Sequence, residues 1–128
     1  LLLYRREAVI MDMEAGIEHL GRATAQAVDR LIIVVEPGRR SVETAVKIRK
    51  LAEDIGLRKT ALIANKIRND ADREFIDAAL PAGDILGYMP FDEAILSADM
   101  KRMPPWELSP SSLAVACAIA ETLIGSAC

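Results

Sequence analysis

Apolar residues fall into short blocks along the chain, separated by polar segments with helical spacing. The first block, 8–13 (AVIMDM), is nearly continuous in apolar residues up to Asp12. That is the pattern of a strand covered on both faces in a parallel sheet. A second block, Leu31–Val35, reads LIIVV and is bounded by Asp29-Arg30 and by Glu36-Pro37-Gly38. Being β-branched and uncharged, it predicts another central strand. TALIAN over 60–65 and the run over 84–89 predict two more.

The intervening segments read as helices. Over 17–29, Leu20, Ala23, Ala27 and Val28 recur at helical steps, with Gly21 interrupting them. The clearest helix is 42–55, where Val42, Ala45, Val46, Ile48, Leu51, Ala52 and Ile55 form one face and the charged residues the other. Ser41 is placed to cap its start and Gly56 to end it. A short acidic helix is expected over 71–80, closed by Pro81, and another over 91–100, opening just after Pro90. Residues 101–109, with Met103-Pro104-Pro105-Trp106, read as an irregular connection. Ser109 or Ser111 would cap a last, alanine-rich helix over 112–124. Strands alternating with helices predict one α/β domain, 1–128, with a mostly parallel sheet and flanking helices.

Composition narrows the function classes. A length of 128 residues with 52% hydrophobic content suffices for a real core. A net charge of −3 supplies no basic field, and 4% aromatic content supplies few stacking surfaces, so nucleic acid is disfavoured as a partner. No apolar run reaches transmembrane length. Cys117 and Cys128 do not make a disulfide framework or a close-spaced thiolate pair, so a reducing cytoplasm is the expected setting and Cys117 reads as a small core residue. The chain opens on Leu1 within LLLYRR, which resembles the last turn of a helix begun upstream. A fragment is therefore expected, with a processed N-terminus as the alternative.

In open parallel sheets ligands sit outside the carboxyl ends of the strands. The residues to inspect are thus 12–16, 36–40, 65–66 and 90–92. Asp12 offers a hard oxygen to a cation, and Gly16 a backbone N–H that no Cβ screens. Each also has a plain structural reading. Asp12 can accept a helix-capping bond, and Asn65 can simply end a strand. Pro90 can open a helix, with Asp92 as a first-turn acid. His19 reads as a polar helix-start residue or as part of a partner-touching segment with Glu18 and Glu14.

The string DMEAGIEHLGR, 12–22, closely resembles the second phosphate-sensing segment of the MinD/ParA-like deviant-Walker P-loop ATPases. Within them it is most similar to the branch that matures carbon monoxide dehydrogenase by inserting nickel. The resemblance implies that Asp12 holds Mg²⁺ through water, Gly16 senses the γ-phosphate and Asn65, followed by Lys66, closes the adenine pocket. It also implies that Pro90, Phe91 and Asp92, in GYMPFDEAI, wrap the other side of the base and ribose. It further implies ATP and Mg²⁺ as cofactors, a homodimer, and carbon monoxide dehydrogenase as a client. The chain matches only about the C-terminal half of that family. It contains neither the glycine-rich loop with lysine that cradles phosphates nor the upstream Cys-x-Cys pair that binds nickel. Alone it is expected neither to bind ATP tightly nor to hydrolyse it. The alternatives are a non-catalytic interaction or dimerisation domain of the same fold, or a partitioning or iron–sulfur scaffold ATPase.

Overall fold

The structure is a computed structural model that describes residues 8–13, 21 and 28–124. Among these, the elements run β1 (Leu31–Val35), α1 (Arg39–Asp54), β2 (Thr60–Ile67), α2 (Asp70–Ala79), a 3₁₀ turn (Ala82–Asp84), β3 (Ile85–Pro90), α3 (Glu93–Lys101), α4 (Pro105–Leu108) and α5 (Pro110–Ile124). The strands form one parallel sheet in the order β1-β2-β3. This is the α/β architecture that the alternation of blocks predicts.

Side-chain alternation decides which face each strand buries. Ile33 and Val35 of β1 and Leu62 and Ala64 of β2 point to one face, where Ala45 of α1 and Ile76 and Leu80, on and just after α2, close the core. The other face is covered over β3 by α5. There Gly87 lies so close to Ile119 that a Cβ would meet it at 2.8 Å. Glycine at 87 is thus what lets this helix seat on the strand.

Helix ends follow local chemistry. Past α1, Gly56 has φ +89°, its N–H donates to the Glu53 carbonyl and the Leu57 N–H donates to the Ala52 carbonyl. That is a Schellman motif, with Leu57 buried against the helix it ends. Asn69 caps α2 by accepting from Asp72 N–H, and the Asp72 carboxylate accepts from Arg68 N–H in return.

Several sequence expectations change. Residues 8–13 form no strand and pair with none of the three strands. Val9, Ile10 and Met11 are exposed, Ile10 at 91%. A strand exists only where a neighbouring edge accepts its backbone groups, and no described strand does so here. Likewise β1 is terminal among the described strands and not central, and Ile32 and Val34 are exposed. Of the helix expected over 17–29, Gly21, Val28 and Asp29 are not helical, and the rest lies outside the described residues. Ser41 does not cap α1, which begins at Arg39 beyond Gly38; Ser41 lies in its first turn and accepts from Glu36 N–H. Pro90 ends β3 and does not open a helix, because Asp92 caps α3 two residues later. The connection before α5 contains the short helix α4, with Pro105 at its start. Cys117 is half-buried and disulfide-bonded, so it is not the small core residue expected.

Candidate functional site

Three successive parallel strands end side by side, and the residues just past them are tied together. At the end of β2 the ladder to β3 slips between Ala64 and Ile67, and Lys66 adopts φ +58°. A left-handed turn at a residue with a Cβ is strained, so the strand is locally re-aimed at this point. The Lys66 ammonium meets the Glu36 carboxylate, one residue past β1, at 2.7 Å. On the other side, Ile67 pairs with Pro90, and Phe91 N–H donates to the Ile67 carbonyl at 2.9 Å. Glu36, Asn65, Lys66, Pro90 and Phe91 thereby line one carboxyl edge of the sheet. Asn65 is half-buried there, with no hydrogen-bond partner for its amide among the described residues.

Asp92 is spoken for on both oxygens. One accepts from Ala94 N–H at 2.8 Å, which caps α3, and the other accepts from the Ser109 hydroxyl. Ser109 in turn accepts from Ser112 N–H at the start of α5. The hydroxyl bond first, and the Ala94 bond second, hold the Asp92 carboxyl below the ordinary carboxylate range. Asp92 is thus the cap of α3, with Glu93 as the first-turn acid, and a sugar hydroxyl would have to share oxygens already in use.

Aromatic and guanidinium groups flank the same edge. Arg68 lies over the Phe91 ring at 4.5 Å, and Arg73 of α2 over the Tyr88 ring at 4.2 Å. Burial first, and then the hydrogen bond that its hydroxyl gives Asp77, push the Tyr88 phenol upward. Neither arginine stands out in the sequence, because their ring partners lie on a different element. The Asn69 cap was findable, since Asn-x-x-Asp is a capping-box spacing.

The structure does not bring Asp12 to this edge as a strand tip. It is exposed in an irregular segment, and Gly16, Glu14, Glu18 and His19 lie outside the described residues. Among the described residues no three metal-capable side chains cluster. No described helix is long and apolar enough to cross a membrane.

No protein-family model matches the chain. Over 111 residues it is 48% identical to the carbon monoxide dehydrogenase accessory protein CooC of Rhodospirillum rubrum, covering 87% of this chain and 42% of that protein. It is also 41% identical over 107 residues to an uncharacterised ATP-binding protein of Methanocaldococcus jannaschii, covering 81% of this chain and 41% of that one. Over most of its length the chain is thus similar to one segment of an accessory protein and of proteins named as ATP-binding. A second ATP-binding protein of Methanocaldococcus jannaschii is 33% identical over 105 residues, covering 80% of this chain and 42% of that protein. The chain spans about two fifths of the length of these curated relatives.

Proposed function

We propose that this chain supplies the base-binding side of an ATP-driven maturation factor that assists nickel insertion into carbon monoxide dehydrogenase. The observation that carries the reading is the shared carboxyl edge, where Asn65 and Lys66 stand beside Pro90 and Phe91 at adjacent parallel strand ends. It is supported by the 48% identity to a protein named as the accessory factor of that enzyme.

The Asn65 amide both donates and accepts, as the N6/N7 edge of adenine requires. Pro90 and the Phe91 backbone would bound the ring, with Lys66 beside Asn65 and Asp92 reaching the ribose only by sharing its capping oxygens. Asp12 fits Mg²⁺ as a single carboxylate acting through water, since Mg²⁺ keeps several waters and takes its other oxygens from phosphates. Mg²⁺ would neutralise phosphate charge there, while Gly16 N–H would report the γ-phosphate. Catalysis in the whole protein would then be positioning and electrostatics, in a homodimer. Nickel is cargo in this scheme and is not assigned to any residue of the chain.

Because the chain carries no phosphate cradle, its phosphate-dependent affinity is expected to be small. Saturation-transfer NMR with adenosine is therefore the direct test of the base site. Signal on the adenine protons is expected with adenosine, to be lost in Asn65→Ala and absent with guanosine. Equal transfer to both nucleosides, or none to either, would refute the assignment of Asn65.

A further inference from the structure

We propose that the cleft between the ends of β2 and β3 and the start of α2, beside the base-binding edge, is an oxyanion site. In it, Arg68 and Arg73 take one carboxylate or phosphate group of a ligand. The cleft is open and shallow, holds about 260 Å³ and is lined by Ile67, Arg68, Asn69, Asp70, Arg73, Tyr88 and Pro90. It sits at the carboxyl ends of two parallel strands, where the sheet leaves a natural crevice.

Two features make it more than a pair of surface charges. Each guanidinium is packed on an aromatic face, Arg68 on Phe91 at 4.5 Å and Arg73 on Tyr88 at 4.2 Å. Stacking fixes the plane of the fork before any ligand arrives, which lowers the ordering cost of bidentate oxyanion binding. The two charges are also unequally partnered, Arg73 having both Asp77 and the Tyr88 hydroxyl beside it. Among the described residues Arg68 has no carboxylate within ion-pair distance, and Arg73 approaches Asp77 only at 3.9 Å, beyond a hydrogen bond.

The nearby acids limit the ligand without closing the site. Asp72 is turned away to accept from Arg68 N–H, and Asp77 accepts from the Tyr88 hydroxyl. Asp70 remains on the lining, so repulsion grows with ligand charge and a singly charged oxyanion is favoured over a multiply charged one. The Tyr88 side chain sits with the core under α1 and α2, whereas Asn65 lies outside the cleft lining. The cleft thus borders the base-binding edge, sharing Pro90 and, through Arg68, Phe91, while Asn65 belongs to the base reading alone and Arg73 to the cleft alone.

The test uses the full chain and two probes, inorganic phosphate and acetate, titrated while amide and guanidinium NMR signals are followed. Saturable one-to-one binding is expected, with a Kd on the order of 1 mM for at least one probe. Which probe saturates identifies the source of the oxyanion. Arg68→Gln and Arg73→Gln should each weaken it about fivefold or more, and Arg68→Lys should recover only part, since an ammonium lacks the fork. Asn65→Ala and Lys59→Gln should change nothing. Shifts that never saturate, or that persist in both Gln variants with the fold intact by circular dichroism, would overturn the proposal. Arg68 is exposed, so its variant keeps the test open even if Arg73→Gln disturbs the Tyr88 packing.

Discussion

At the scale of single residues, Asp92 and Ser109 form the most consequential contact. Ser109 is buried and serves two masters, donating to Asp92 and accepting from Ser112 N–H. Ser109→Ala should cost about 1–2 kcal/mol in chemical denaturation, as loss of a buried cap does. The pH dependence has a definite sign. The folded Asp92 carboxyl titrates below its unfolded value, near 4, so its contribution is full above that value. It fades as pH falls through the folded pKa. Melting temperature should therefore drop on acidification below about pH 4, and the drop attributable to Asp92 should shrink in Ser109→Ala. Asn65, Pro90 and Asp92 were all legible as edge residues, because strand ends can be read from local pattern. The Lys66 turn was not, because its φ of +58° answers to a ladder slip set by β3. The second partner of Asp92 was equally hidden, lying 17 residues away.

At the scale of elements, end chemistry carried more information than periodicity. Gly56 was readable as a helix terminator because its left-handed φ is a local demand. Gly56→Ala should destabilise by about 1 kcal/mol in a denaturant titration, through αL strain alone. Gly87 makes a different demand. Gly87→Ala pushes a methyl against Ile119 at 2.8 Å, so α5 must shift or Ile119 must change rotamer. A loss of about 1–3 kcal/mol is expected, relieved in part by Ile119→Val, which a double-mutant cycle would measure. Nothing local in LGY announces that contact. By contrast, the start of α1 was misplaced through Ser41, whose hydroxyl satisfies the Glu36 N–H and leaves the cap to Gly38.

At the scale of the whole molecule, the sheet is asymmetric. β1 carries no charge, proline or bulge along its outer edge, and Val34 is 58% exposed. Such an edge invites pairing between chains. Size-exclusion chromatography with light scattering should show concentration-dependent association, reduced in Val34→Lys; an unchanged distribution would count against the edge. The sequence reading placed both β1 and residues 8–13 at the centre of the sheet, since uncharged runs signal burial. An apolar run, however, reports only what a strand would prefer as neighbours. Which neighbours exist is a property of chain segments far apart in sequence.

The hydrogen bond that Ser109 gives Asp92 has a dynamic consequence. The first turns of α3 and α5 are spliced through the Asp92–Ser109 bond, at the rim where Pro90 and Phe91 lie. Fraying either helix start removes the contact that orients the other's capping side chain. Amide exchange at Ala94 and Ser112 should then quicken in step, as though two distant stretches of chain opened on a common latch.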